Sequence, residues 1–244
     1  EQPISKVFVT QRLPLETIAI ENANLVTHDS LFGIYIFQFE KPLQPNHTVG
    51  YNFKLKHHRK GYAEDKTIVN NGTYITHTNF EPILGYSSGL EITDKVEREK
   101  RNLPKREVEI ISDAHIALED FNNEKTDFET IVSTSSKQTA LSSGNLVKKW
   151  AENNRNYYHY KTKNKVVPMI AYFSADYKTK KVDYQGISIE QYFDEAHSFN
   201  IEDIENSAKQ TIDYCEENFG DYAFDHIRIA EVPSHWSFGG FAHP

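Results

Sequence analysis

Residues 187–231 read ISIEQYFDEAHSFNIEDIENSAKQTIDYCEENFGDYAFDHIRIAE, and three elements follow one another in them. The opening seven residues, 187–193, predict a strand. Asn200 is then a good N-cap, with Glu202 and Asp203 in the first turn to complement the helix dipole. Ile201, Ile204, Ala208, Ile212, Cys215 and Phe219 recur at helical spacing along one stripe, and Gly220 follows as the residue that ends the helix. A second strand is predicted over 227–231. Strand, helix, strand is the pattern of an α+β unit, and it closes a chain that otherwise reads as strands. A new domain is therefore expected to begin near Gly186.

Upstream the period is two. Val49, Tyr51, Phe53 and Leu55 alternate with Gly50, Asn52 and Lys54, which predicts a strand with one wet face. Residues 34–39 are apolar or aromatic nearly throughout, as expected of a strand covered on both sides. Further strands are predicted at 15–20, 74–77, 128–134, 146–150, 157–160 and 170–176. Turn residues separate them: Pro45-Asn46, Asn70-Asn71-Gly72, Ser142-Ser143-Gly144 and Asn153-Asn154. The pattern lapses between 87 and 126, where a short charged helix over 94–101, stopped by Pro104, sits in a long surface excursion. The fold class is mainly β, a large layered antiparallel sheet, followed by an α+β segment.

Composition supports a globular body and narrows the partners. The chain has 244 residues, of which 38% are hydrophobic and 13% aromatic, with 14 Tyr and 15 Phe. That aromatic share favours strands, where flat rings pack on a pleated surface. A net charge of −8 argues against a nucleic-acid surface, which needs a clustered basic face. One cysteine, Cys215, excludes an internal disulfide and any cysteine-based zinc cluster, and its place on the helix stripe predicts a buried thiol. No segment reaches the ~20 apolar residues of a membrane-spanning helix. The chain starts Glu1-Gln2-Pro3 rather than with Met, which reads as a piece of something longer.

Motifs for chemistry are sparse. None of the eleven His residues stands in H-E-x-x-H, the spacing that sets two metal ligands on one helical face. His57-His58 are adjacent, so on a strand they point to opposite faces. There is no G-x-S-x-G elbow and no glycine-rich phosphate loop. Tyr157-Tyr158-His159-Tyr160 reads either as a stacking surface for a sugar or peptide or as alternating core and surface aromatics on one strand, the second being the simpler reading. Gly239-Gly240 permits close backbone approach to a ligand.

The later segments form a familiar series. TDFETIVSTSSKQTALSSGNLVKKW, NYYHYKTKNKVVPMIAYFSADY and IEDIENSAKQTIDYCEENFGDYAFDHIRIAEVPSHWSFGGFAHP resemble the zinc aminopeptidase family typified by alanyl aminopeptidase. The family's strand with an "ALS" turn corresponds to Ala140-Leu141-Ser142, its Pro-x-x-x-Tyr-like strand to Pro168 and Tyr172, and its helix end to Phe219-Gly220. FQFEKPLQPNHTVGYNFKL, NGTYITHTNFEPILGY and REKRNLPKRE are similar to a bacterial branch in which this module is attached to an ABC-type permease.

The resemblance implies a β-rich N-terminal domain over 1–185 and the beginning of a catalytic domain over 186–244, cut before the zinc site. It implies a peptide-binding segment at Gly239, Gly240, Phe241, Ala242 and His243. In the family a glutamate holds the peptide's free amine where Ala242 stands here, and an alanine cannot anchor an ammonium ion. The backbone at Gly239-Gly240 can still pair with an extended peptide. No catalytic residue and no metal ligand is expected in this chain, with zinc expected in the full-length parent. The expected partners are the missing catalytic domain, membrane permease segments of the same parent, and peptides, with no nucleic acid. The expected location is the periplasmic side of a bacterial membrane. Two further readings stay open: a peptide- or partner-binding scaffold whose parent has lost catalysis, and a free-standing carbohydrate-binding sandwich.

Overall fold

The computed structural model describes residues 2–57, 68–85, 91–106, 125–236 and 239–243. His58, Ser237 and Phe238 and most of the 87–126 stretch lie outside the described residues. The chain divides into two compact units. One holds the strands from Ile4 through Leu55 with Ile83–Leu84. The other holds 68–76 and the described residues from 125 onward.

In the first unit Ala23–Asp29, Ile34–Leu43, Ile4–Thr10 and Ile83–Leu84 form one antiparallel sheet in that order. Leu15–Ile20 pairs with Tyr51–Leu55 in a second. Both sheets send alternate side chains inward, so Val9, Tyr35, Phe37 and Phe39 meet Ile20, with Leu15, Ile18 and Tyr51 packed around them. Burial raises the Tyr51 hydroxyl to about 12, with the negative charge of Glu81 adding to it.

The run from Ile34 is not covered on both sides as its composition predicts. Tyr35, Phe37 and Phe39 are buried while Ile34, Ile36 and Gln38 are half-buried, so the strand has one core face and extends to Leu43. The strand Ile4–Thr10, which the sequence does not announce, supplies the partner that fixes this face. The charged helix is present as Lys95–Lys100, with Asp94 Oδ1 accepting from the Glu97 amide at 2.8 Å.

Among its described residues the second unit contains three three-stranded sheets. Asn145–Glu152, Arg155–Lys161 and Glu129–Ser135 make the first, and Thr73–Thr76, Ala171–Ala175 and Thr139–Ser142 make the second, all antiparallel. Tyr158 and Tyr160 are buried on Ala140 between these sheets, while Tyr157 and His159 on the other face are half-buried. The aromatic run is therefore alternating core and surface. Trp150 stacks on Tyr157 with ring centroids 5.1 Å apart, a cross-strand pair on the outer face.

The third sheet carries the strand-helix-strand unit. Lys178–Tyr184 pairs antiparallel with Ile187–Phe193, which pairs in parallel with His226–Ala230. A parallel pair needs a crossover, and the helix Ile201–Phe219 provides it. Ile212 packs on Ile187 and Ile189, with Ala208 and Ile227 alongside. Deleting one methylene there should show: Ile189→Val is expected to lower unfolding free energy by about 1 kcal/mol in urea denaturation.

The stripe fades toward its end. Cys215 is half-buried rather than buried, and Phe219 is 78% exposed, so the packed part of the stripe is the part that includes Ala208 and Ile212. Asn200 occupies the N-cap position without a side-chain bond, since a 3-10 turn, Glu195–Asn200, leads directly into the helix. The cap lies one element earlier, where Asp194 Oδ1 accepts from the Ala196 amide at 2.9 Å. Gly220 ends the helix with φ +107°.

Candidate functional site

Two strand positions set up the site. On Ile187–Phe193 the odd-numbered residues face the helix, so Glu190 and Tyr192 face the opposite way. Arg228 on the neighbouring strand lies on that same side. Its Nε donates to Glu190 Oε2 at 2.9 Å, and Nη1 donates to the carbonyls of Gly144 at 2.6 Å and Ser142 at 3.2 Å. The guanidinium also lies over the Tyr160 ring, 5.2 Å from its centroid. Glu190 accepts further from Lys181 and from the Tyr192 hydroxyl. Burial raises the Glu190 pKa, but Lys181, Arg228 and Tyr192 outweigh it, and the net direction is down. Burial drives the hydroxyls of Tyr160 and Tyr192 well upward, so both remain protonated donors. This ion pair ties the third sheet to the turn at Ser142-Ser143-Gly144.

That turn and the strand His226–Ala230 form two sides of a cavity of about 1050 Å³ lying within the second unit. At the two ends of the parallel ladder the Ser188 amide donates to Asp225 O and the Glu231 amide to Tyr192 O. Backbone groups alternate in direction along a strand, so those of Arg228 and Ala230 point the other way, along the cavity edge. No described residue pairs with them on that side. Gly144, at φ +86°, lies so close to the Lys161 backbone that a Cβ would fall 2.7 Å from Lys161 C. Only glycine keeps this wall in place.

Rings form another side. Tyr74 is edge-on to Trp236 at 4.7 Å and tilted on Phe173 at 4.9 Å, and Phe241 lies 4.8 Å from His243. His243 Nδ1 reaches Met169 O at 2.9 Å and Nε2 reaches the Tyr74 hydroxyl at 2.8 Å. A carbonyl can only accept, so in the neutral ring Nδ1 carries the proton and Tyr74 donates to Nε2. Replacing Tyr74 by Phe should loosen the 239–243 segment and lower stability by about 1 kcal/mol, read by urea denaturation. At the rim, Asp225 is bound by Lys163, by His226 Nδ1 at 2.9 Å and by Asn145 Nδ2 at 2.7 Å. The Lys163 contact, followed by those of His226 and Asn145, holds its carboxyl far below the usual range.

All five residues singled out from the sequence line this cavity: Gly239, Gly240, Phe241, Ala242 and His243. They form irregular backbone rather than a strand, because no described strand pairs with them. A Cβ at Gly239 or Gly240 would meet nothing within 4 Å, so the backbone there is open to approach. Sequence reasoning missed Glu190, Arg228, Asp225 and Ser143. One signal was available: Glu190 and Gln191 place a charged and a polar side chain in the middle of a strand that is apolar or aromatic at Ile187, Ile189, Tyr192 and Phe193. Among the described residues no three His, Cys, Asp or Glu side chains are arranged to hold a metal ion, and no helix is long and apolar enough to cross a membrane.

No protein-family model matches the sequence, and no similar curated protein is found. Solved structures do match. The M1 zinc metallopeptidase of Deinococcus radiodurans superposes with a TM-score of 0.55 at 11% identity, over 94% of this chain and 48% of that one. The fold is that of M1 zinc metallopeptidases. A mutant of the Deinococcus M1 enzyme bound to a Tyr-Ser-Ala substrate gives 0.54 at 11% identity, over 94% of this chain and 49% of that one. Legionella pneumophila aminopeptidase A, in complex with aspartic acid, gives 0.57 at 12% identity, covering 94% of this chain and 25% of its own. The chain thus spans about half the length of the Deinococcus M1 chains. Mostly antiparallel sheets with one C-terminal helix match the β-rich N-terminal part of the M1 fold.

Proposed function

We propose that this chain is the front part of a zinc-metallopeptidase-like protein and supplies one wall of its peptide-binding cleft. The observation that carries it is the cavity beside His226–Ala230, where the backbone groups of Arg228 and Ala230 point away from the neighbouring strand and Gly239 and Gly240 belong to the same lining. An extended peptide needs such an edge, since main-chain hydrogen bonds supply affinity without any particular side chain. The Deinococcus relative of the same fold binds a tripeptide, which supports the assignment.

In this reading, 1–185 is the N-terminal domain and 186–244 opens the catalytic domain. Zinc would belong to the remainder of the parent. This reading expects no peptidase turnover from the chain by itself. The sequence resemblance extends the proposal to a parent attached to an ABC-type permease and exposed on the periplasmic side. Ala242 favours a second reading, a peptide- or partner-binding scaffold whose parent has lost catalysis. An H-E-x-x-H helix in the parent would decide for the enzyme.

The wall can be tested with the chain as it is. There are two tryptophans, Trp236 in the cavity and Trp150 on a different sheet. Titrating an extended pentapeptide should give a saturable change in tryptophan emission that disappears in Trp236→Phe and persists in Trp150→Phe. No change at millimolar peptide, or stoichiometric zinc binding with peptidase turnover by this chain alone, contradicts the proposal.

A further inference from the structure

The helix Ile201–Phe219 ends against the rule that places cations in a last turn. A helix C-terminus carries partial negative charge and a final set of carbonyls without helical partners. Here the last turn holds Glu216 and Glu217 and no basic residue, and Asp221 follows just beyond. Gly220, at φ +107° and ψ 175°, carries the chain away extended rather than in the left-handed turn that folds amides back onto those carbonyls. Glu216 Oε1 accepts from the Tyr222 amide at 3.3 Å, while Glu217 is exposed on the helix surface, three residues on from Tyr214.

Rings gather at the same end. Tyr214 is 61% exposed, and Phe219 lies edge-on to it with centroids 6.0 Å apart. Tyr222, tied to the helix end by Glu216, forms a second edge-on pair with Phe224 at 5.6 Å, and both are exposed. Single exposed rings are ordinary, but a group of them makes an apolar patch of the kind that contacts another molecule. Ring faces attract ammonium and, more often, guanidinium groups. Carboxylates, open carbonyls and ring faces thus favour one ligand chemistry, a cation on an apolar stem, and the net charge of −8 draws such a partner in.

We propose that this helix end is a docking surface for a basic segment of a partner protein. Arginine side chains of the segment lie over Tyr214 and Phe219 and pair with Glu217 and Asp221, while their N–H groups meet the open carbonyls of the last turn. Apolar residues between the arginines cover Tyr222 and Phe224. Strand pairing along His226–Ala230 plays no part in this docking, so it stands or falls separately from the peptide wall.

The test follows a labelled peptide, Arg-Leu-Arg-Leu-Arg amide, by fluorescence anisotropy on the full chain, beside a twin with uncharged citrulline at each arginine. The arginine peptide should bind at least about tenfold more tightly, and the gap should narrow as salt is raised. Glu217→Gln with Asp221→Asn should weaken it roughly three- to tenfold. Glu202→Gln with Asp203→Asn, which removes the same charge from the far end of the helix, should change it less than about twofold. Phe219→Lys supplies the cation from within the chain. It should raise the urea midpoint yet weaken peptide binding at least about threefold, a pair of effects that misfolding cannot produce. Equal binding of the two peptides, equal losses from the two carboxylate pairs, or no binding at millimolar peptide overturns the inference and leaves the peptide wall standing. So does sedimentation showing dimers that Phe219→Lys dissolves, which would give the patch to a second copy of the chain.

Discussion

Replacing Arg228 by alanine should lower the free energy of unfolding by about 3–5 kcal/mol, the range for breaking a buried ion pair from one side. The variant leaves Glu190, with a side chain 9% exposed, facing only Lys181 and Tyr192. It also strips the Ser142 and Gly144 carbonyls of their donor and Tyr160 of its cation. Urea denaturation followed by circular dichroism reads the loss directly. Arg228→Lys should recover only part, because an ammonium cannot serve Glu190 and two carbonyls in the planar geometry of the guanidinium.

The pair also sets a pH dependence of known sign. Glu190 has its pKa held below its ordinary 4.5 in the folded chain. A carboxyl depressed in this way stabilises the fold fully above its unfolded pKa, and that stabilisation drains as the pH falls through the folded value. The stability difference between wild type and Glu190→Gln should therefore be largest near neutral pH and shrink as the medium is acidified below 4.5. A difference that grows on acidification would mean that burial, not the three donors, governs this group.

A comparable loss is expected in the other unit from Gly33→Ala. Gly33 has φ +65°, and a Cβ there would stand 2.1 Å from Gln11 O and 2.7 Å from Gln11 C. The turn cannot retreat easily, since the Gln11 amide donates to Gly33 O at 2.8 Å and the Gln11 side chain is tied to Phe80 O and the Leu13 amide. Left-handed strain and a backbone clash add, each on the order of 1–3 kcal/mol. The variant should unfold at distinctly lower urea, whereas Gly186→Ala, where nothing lies within 4 Å, should lose only the strain of its positive φ.

Strands whose partners lie on their own hairpin were legible from sequence. Arg155–Lys161 and Asn145–Glu152 announce themselves by aromatic alternation and an Asn153-Asn154 turn, and both asparagines do take positive φ. The long helix falls over the range its periodicity predicts because its apolar stripe meets a sheet face of matching period. Ile4–Thr10 and Ala23–Asp29 were not legible. Their exposed and buried positions mix charged, polar and apolar residues, and only pairing to Ile34–Leu43 across the sheet gives them a direction. The same applies to the site. The Gly239–His243 segment was found by resemblance, but Arg228, Glu190, Asp225 and Ser143 come together from strands and turns far apart in the chain. Spacing in a sequence carries no trace of such an arrangement.

In the function proposed above, the outer edge of His226–Ala230 pairs with an extended peptide. Amide hydrogen exchange of Arg228 and Ala230, measured by NMR with and without saturating N-acetylated Ala-Ala-Phe-Ala-Ala amide, tests it most directly. Both amides should exchange readily in the free chain and slow by at least about tenfold when the peptide is bound, as unpaired edge amides do on gaining partners. Ile227 and Ile229, already bonded on the other side, should change little. Peptide binding that leaves Arg228 and Ala230 exchanging at their free rates would contradict the account.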